Sequence, residues 1–369
     1  MNRRDLFRTL PAIGLAASAT AAQGASVKAE VVRLNLKHTW TTVMSSSTFR
    51  DTLHVHLTSQ GITGTGEGAP IPRYNESAVE GKKLVESLAP MLSGADPFQF
   101  AKILDQIFKK VEGNWAAKAA IDIALMDWVG KKLGVPLYKY FGLDPKDAPL
   151  TTFSIGIDTP EMTRKKIEEA ASYPVLKIKV GLDTDEATMD AVRAVTKKPL
   201  RVDANEGWKD KDEAVRKINW LEKMGVEFIE QPMPAHMIEE AKYVRGKVHM
   251  PIIADEACLH PRDIPKLAEA FDGINIKIDK CGGMLEAFRM IQIARSLGMK
   301  VMMGCMISTS VAVTAAAHLS PLIDYADLDG NLLISNDPYR GVKVVNGKLV
   351  LPSGPGLGLK KNLAADERR

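Results

Sequence analysis

From residue 150 onward, apolar runs rich in Val and Ile recur at near-even spacing: "LTTFSIG", "LKIKVG", "LRVDANE", "EFIEQP", "IIADEA", "INIKIDK", "KVMMGCM" and "DYADLDG". Amphipathic stretches lie between most of them. In "DEAVRKINWLEKMG", Val215, Ile218, Leu221 and Met224 recur in three-residue steps, which suits one face of a helix. Strands alternating with helices imply a parallel sheet, and eight of them imply a closed α/β barrel of the TIM type. The first part of the chain reads differently. "VVRLNLKHTW", "DTLHVHLTSQG" and "ITGTGEGAP" suggest a strand meander with Gly-rich turns, and helical patterns follow in "AVEGKKLVESLAPMLSG" and "AAKAAIDIALMDWVGKKLG". After the last barrel strand, "PYRGVKVVNGKLVLPSGPGLGL" carries an Asn-Gly hairpin signal. The expected division is an α+β capping domain over 26–149, a barrel over 150–334, and a segment, 335–369, that packs back on the cap.

Residues 1–25 form a separate object. "MNRRDLFRTL" gives a charged start, "PAIGLAASATAA" a short apolar run, and "ATAAQGAS" a small-residue cleavage region. Arg3 and Arg4 before Leu-Phe resemble a twin-arginine export signal, with a Sec signal as the alternative. Export to the periplasm or beyond is expected. No later apolar run reaches the length of a membrane span, so the mature chain is expected to have no membrane partner. The net charge of +4 is small for 369 residues and gives no sign of nucleic-acid binding. Cys258, Cys281 and Cys305 are too few and too widely spaced for a disulfide framework or a zinc knuckle, and are expected to fill the core. The Gly-rich "GTGEGAP" and "GPGLGL" lack the strand–turn–helix context of a phosphate loop. His54 and His56 share a strand face and are expected at the surface.

The polar residues that close the barrel strands keep one beat. The steps from Asp203 to Glu230, Asp255, Lys280, Cys305 and Asp329 are 27, 25, 25, 25 and 24 residues. One βα unit per step brings each residue to a neighbouring strand end, so all ring the C-terminal mouth of the barrel. Three carboxylates converging there (Asp203, Glu230 and Asp255) would repel one another without a cation. A hard divalent ion resolves the conflict, and an all-oxygen site favours Mg²⁺, one per subunit. Lys177 and Lys179 of "LKIKVG" leave one strand face together, towards those carboxylates. Lys179 and Lys280 are expected to face each other across the mouth as a pair of acid/base groups, one removing a proton from a bound carbon and the other returning it. Lys177 supplies further positive charge beside the enediolate that forms. Asp327 and Asp329 of "ADLDG" alternate onto one face and ask for a cation such as a substrate ammonium.

"LKIKVG", "RVDANEGW", "FIEQPMP", "IADEA" and "INIKIDKCGG" together resemble the enolase superfamily, in its muconate-lactonizing-like subgroup. The resemblance extends over nearly the whole mature chain, including "AKAAIDIALMDWVGKKLGVPLYKYFG". It implies a modified TIM barrel of the (β/α)7β kind, with Asp203, Glu230 and Asp255 as metal ligands and Lys179 and Lys280 as the acid/base pair. Barrels of this family often assemble, which leaves a homo-oligomer open.

Within the family, the Asp327-x-Asp329 arrangement is similar to that of dipeptide epimerases, where it binds the α-ammonium of the N-terminal residue. The resemblance then implies a dipeptide substrate whose C-terminal α-carbon is inverted, and an export signal fits murein peptides, with L-Ala-D/L-Glu the best single candidate. Relatives acting on Ala-Glu can carry an arginine in a capping loop, where this chain has Ser45; Arg50 or Arg73 is a candidate substitute. Trp40 and Met306 line the pocket or simply pack in the core. A cycloisomerase or o-succinylbenzoate synthase shares the same core, but leaves the Asp pair unexplained, as does N-acylamino-acid racemization. A silent periplasmic binder has no need of paired bases.

Overall fold

The computed structural model describes residues 26–362, so the expected export signal, residues 1–25, lies outside the described residues. The chain opens with an antiparallel meander of β1 (Ser26–Thr41), β2 (Ser46–Ser59) and β3 (Ile62–Gly68). Gln60 and Gly61 turn β2 into β3 with φ of 51° and 74°, the left-handed pair that a tight hairpin requires. The register between β1 and β2 slips between Asn35 and Trp40. Such an irregularity bends the ribbon. Helices α1 (Ala78–Ser93), α2 (Phe100–Lys110) and α3 (Trp115–Leu133) cover the sheet.

Helix α3 is buried on every side from Ala116 to Gly130, which explains why its sequence is apolar all round. "GTGEG" is part of β3 itself and lies directly on this helix. A Cβ at Gly64, Gly66 or Gly68 would stand 2.0, 1.9 or 1.9 Å from the carbonyl oxygens of Ala124, Ala120 and Ala116. Glycine on the strand and alanine on the helix are therefore one device: backbone meets backbone.

A short helix, α4 (Leu137–Tyr140), leads into the barrel. Its eight parallel strands are β4 (Phe153–Ile155), β5 (Leu176–Lys179), β6 (Leu200–Asp203), β7 (Val226–Glu230), β8 (Ile252–Ala254), β9 (Gly273–Ile276), β10 (Lys300–Gly304) and β11 (Tyr325–Asp327), each paired with the next. A bridge between Thr151 and Ala326 closes the ring. Helices α5 (Pro160–Glu169), α6 (Asp185–Val195), α7 (Lys211–Lys223) and α8 (Ile238–Arg245) follow the early strands. Helices α9 (Ile264–Leu267), α10 (Ile278–Cys281), α11 (Met284–Ser296) and α12 (Ser310–Ala317) follow the later ones. Inside the barrel, Phe228, Ile253, Met302 and Tyr325 pack as an apolar floor. The Arg201 guanidinium lies 5.5 and 5.0 Å from the rings of Phe228 and Tyr325. This floor is a packed core below the mouth.

Acids of the cap hold the barrel in place. Glu67 accepts hydrogen bonds from the amides of Thr309 (2.9 Å) and Ala312 (3.0 Å) at the start of α12. Asp122 does the same for Met284 (2.8 Å) and Leu285 (3.2 Å) at the start of α11. Both sites use the unpaired amides of a helix N-terminus. His54 departs from the surface position expected for it: it is buried 3.4 Å from Glu67, and only His56 is part-exposed. After β11 the chain returns to both parts. The Leu357 amide donates to Asp127 of α3 (2.8 Å), and the hairpin of Lys343–Val345 and Lys348–Val350 offers the Gly347 carbonyl to the Thr151 amide (2.8 Å). Among the described residues, no helix is long and apolar enough to cross a membrane.

Candidate active site

Alternation along each strand decides what reaches the mouth. Lys177 and Lys179 of β5, Asp203 of β6 and Glu230 of β7 stand in register with their neighbours across the parallel ladder. Asp255 follows directly after β8. Asp203, Glu230 and Asp255 are fully buried, and each offers an oxygen within 4.8 Å of the others. The backbone turns sharply beyond two of these strands: Asn205, Glu206 and Gln231 have φ of 42°, 67° and 35°. Non-glycine residues held in this region store strain that collects at functional sites. The Gln231 side chain accepts from the amides of Asp255 (2.9 Å) and Ala257 (3.1 Å), so one strand's turn fixes the next strand's acid.

Burial and the neighbouring Asp203 push the Glu230 carboxyl up to about 8. Its Oε1 accepts from Asn275 (2.8 Å), while Oε2 has only an ion-pair contact to Lys177 (2.7 Å) with no hydrogen bond of good geometry. Three buried carboxylate oxygens converging without nitrogen or sulfur donors fit a hard divalent cation.

The lysines divide into two kinds. Lys177 lies 3.2 Å from Asp203, 2.7 Å from Glu230 and 2.7 Å from Asp327. Burial favours its neutral form, but these three acids overcome that and hold it well above the ordinary lysine range. It is a fixed positive charge. Lys179 contacts Asp203 (2.5 Å) and also faces the open cavity.

Lys280 does not stand where the 25-residue beat puts it. Its ammonium donates to the carbonyls of Asp255 (2.6 Å), Cys258 (3.2 Å) and Asn275 (3.2 Å), and pairs with the Asp255 carboxylate. It lines neither the main cavity nor the recess beneath it. The physical reason is that β9 ends at Ile276, and Lys280 sits one turn along the short α10. The lysine in phase with Asn275, two residues on, is Lys277. It lines the same cavity as Lys179 and pairs with Asp255 (2.8 Å). Burial acts against its charge, yet Asp255 and Glu230 raise it well above the usual range. The alternation in "INIKIDK" carried this signal, since Asn275 and Lys277 leave the strand on one face.

The two aspartates of β11 and beyond differ as well. Asp327 is fully engaged: Lys177 holds one oxygen, and Thr152 (2.5 Å) and Ser154 (3.1 Å) donate to the other. Asp329 accepts from the Ser154 amide (2.6 Å) and borders the recess. Burial and the adjacent Asp327 push its carboxyl up to about 7, a conflict that a cation would relieve.

The main cavity has a volume of about 610 Å³ and lies between the barrel mouth and the cap. Ser45, Trp40 and Arg50 come from the cap, and Met306 from the loop after β10. Asn205 and Glu256 add a polar pair not singled out in the sequence: the Asn205 amide donates to Glu256 (3.0 Å), whose carboxyl burial and Asp255 raise to about 7.

A cap of antiparallel strands over an eight-stranded barrel, with three consecutive strands ending in carboxylates that lysines face, defines an enolase-superfamily protein. The chain belongs to the mandelate racemase/muconate lactonizing enzyme family within it. Residues 26–142 match the family described as "Mandelate racemase / muconate lactonizing enzyme, N-terminal domain", and residues 161–365 match "Enolase C-terminal domain-like". The L-Ala-D/L-Glu epimerase of Bacteroides thetaiotaomicron is 45% identical over 329 residues, covering 89% of this chain and 86% of its own. The L-Ala-D/L-amino acid epimerase of Pedosphaera parvula is 40% identical, covering 89% and 96%. Among solved structures, a dipeptide epimerase from Enterococcus faecalis complexed with Mg and L-Leu-L-Tyr superposes with a TM-score of 0.85 at 34% identity, covering 92% of this chain and 99% of that one.

Proposed function

We propose that the protein is a Mg²⁺-dependent dipeptide epimerase that inverts the C-terminal α-carbon of its substrate, with L-Ala-D/L-Glu the preferred candidate. The observation that carries this reading is that Lys179 and Lys277 both line the main cavity beside Asp255, whose carboxylate oxygen lies within 4.8 Å of those of Asp203 and Glu230, and both also line the recess that Asp329 borders. Asp203, Glu230 and Asp255 hold the ion, which when bound stabilises the negative charge that a substrate carboxylate gains as the neighbouring proton leaves. Lys177 adds a fixed positive charge beside it. Asp329 receives the substrate ammonium, with Asp327 locked behind it by Lys177. One of Lys179 and Lys277 takes the α-proton in its neutral form, and the other, charged, delivers a proton to the opposite face. Inversion follows from the two amines standing on different sides of one carbon. The names of the relatives support the same reaction, and the twin-arginine-like start supports a site of action outside the cytoplasm.

The test is incubation of the Mg²⁺-loaded protein with a dipeptide panel in deuterated water, read by NMR. Deuterium is expected at the C-terminal α-carbon, with both epimers appearing. Absence of exchange at every such carbon would remove the reading.

A further inference from the structure

The turns beyond β6 and β7 share one fastening, and it comes from the cap. Asn205 and Glu206 follow Asp203 in left-handed conformations, and Gln231 follows Glu230 in another. Asparagine tolerates such dihedral angles, whereas glutamate and glutamine are strained there and have to be held. The Glu206 amide donates to the Gln231 carbonyl (2.9 Å), which joins the two turns to each other. The Glu206 carboxylate accepts from the Ala235 amide (2.7 Å), further along the second turn. Its other bonds come from Arg73: Nε donates to Oε2 (3.0 Å), and Nη2 donates to Oε2 (2.8 Å) and Oε1 (3.1 Å). Arg73 belongs to the short 3-10 turn Pro72–Tyr74 that follows β3, and it lines the main cavity. One edge of its guanidinium is thereby committed to the protein itself.

These turns carry the acids that hold the ion. Asp203 lies three residues before Glu206 and accepts the Asn205 amide on Oδ1 (2.9 Å), while Glu230 lies immediately before Gln231. A turn that relaxed towards ordinary dihedral angles would draw the Asn205 amide away from Asp203 and re-aim both carboxylates. The pair that opposes this relaxation is two-pronged, and its acid is 12% exposed against 40% for the arginine. Shielding on the acid's side preserves attraction that a fully exposed pair loses to solvent.

We propose that the Arg73–Glu206 pair is a latch through which the cap sets the geometry of the metal site, so that Mg²⁺ affinity is coupled to the seating of the segment that follows β3. Both are positioning residues: Arg73 acts through Glu206, and Glu206 acts through the two turns. Such coupling is reciprocal, so the bound ion steadies the cap segment by the same factor by which the latch strengthens ion binding. The proposal rests on the metal site of the epimerase reading above and not on which dipeptide is used.

The experiment titrates Mg²⁺ into the full chain by calorimetry, for the wild type, Arg73→Gln, Arg73→Lys, Glu206→Gln and the Arg73→Gln/Glu206→Gln double variant, with thermal unfolding of each recorded alongside. Arg73→Gln should weaken Mg²⁺ binding by roughly 5–30-fold, within the span usual for coupled sites. Arg73→Lys keeps the charge without the fork and should retain part of the affinity. The double variant should bind no more weakly than Glu206→Gln alone, since the two residues act as one unit. Hydrogen exchange at the Tyr74 and Asn75 amides should slow when Mg²⁺ is added to the wild type, and not in Arg73→Gln. Because the effect passes through the ion, saturating Mg²⁺ should return Arg73→Gln to near the wild-type kcat. An Arg73→Gln variant that binds Mg²⁺ as the wild type does overturns the proposal, whatever happens to its melting temperature. So does additive weakening in the double variant. A wild type that binds Mg²⁺ yet exchanges no dipeptide removes the epimerase reading, and the titration still decides the latch. A wild type that binds no Mg²⁺ overturns the latch together with the metal site.

Discussion

Lys277 and Lys280 are three residues apart, both buried and both paired with Asp255, yet the geometry assigns them different work. Replacing each separates the roles. Lys280→Met removes an ammonium that satisfies three backbone carbonyls and one carboxylate in a site that is 2% exposed. Breaking one partner out of such a buried pair costs about 3–5 kcal/mol. With an unfolding entropy of ~2 cal/mol/K per residue, the melting temperature should fall by roughly 4–7 °C. Lys277→Ala leaves Asp255 its Lys280 partner, so the expected cost is only ~1–2 kcal/mol. Its effect on the reaction is larger. Loss of one of two acid/base groups should slow epimerisation by about 10²–10⁴-fold. Lys179 still reaches the α-proton from its own side, so one epimer of the dipeptide should continue to exchange with deuterated water while the other does not. Following the α-proton signal of each pure epimer by NMR, beside thermal unfolding of each variant, reads both effects. The reasoning is refuted if Lys277→Ala exchanges both epimers, or if Lys280→Met stops exchange from one epimer at undiminished stability.

Other consequences can be checked directly. Asp329→Asn should raise KM for dipeptides by about 10–100-fold, because an ammonium then loses its charged partner, and steady-state kinetics measures it. Removing divalent ions with a chelator should abolish exchange, and Mg²⁺ should restore it; a Glu230→Gln variant should weaken Mg²⁺ binding by calorimetry, since one of three ligand carboxylates is lost. Gly66→Ala places a carbon 1.9 Å from the Ala120 carbonyl, and the protein should be recovered unfolded or insoluble when assayed by circular dichroism and sedimentation. Burial lowers His318 to about 4, so the unfolded chain takes up its proton first and stability should decline as pH falls from about 6.5 towards 4. His318→Gln should flatten that part of a denaturation-against-pH curve. Changing Arg3 and Arg4 to Lys should leave the protein in the cytoplasm on cell fractionation if export uses the twin-arginine route.

The barrel was legible because each βα unit repeats one length and closes on one polar residue. Asp203, Glu230 and Asp255 needed only that beat to be placed together. Lys177 and Lys179 needed only the alternation of a strand. The second amine was misplaced because the beat counts residues and not strand ends: β9 stops before its count is complete, and the chain coils into α10. Phase along the strand, from Asn275 to Lys277, was the better guide. The states of Arg73 and His54 were not legible at all. Arg73 meets Glu206 across 133 positions of sequence, and His54 is buried against Glu67 on a neighbouring strand, so each depends on a long-range partner that no local pattern announces.

Glu67, clasping the amides that begin α12, and Asp122, clasping those that begin α11, have a further consequence for traffic. A swing of the whole first layer away from the mouth would strip both sets of amides of their acceptors. The molecule therefore has no hinge there. The short connection from Thr42 to Ser45 brings Thr42, Met44 and Ser45 to the cavity wall, so selectivity can be retuned in that connection without disturbing the joint that keeps the two layers together.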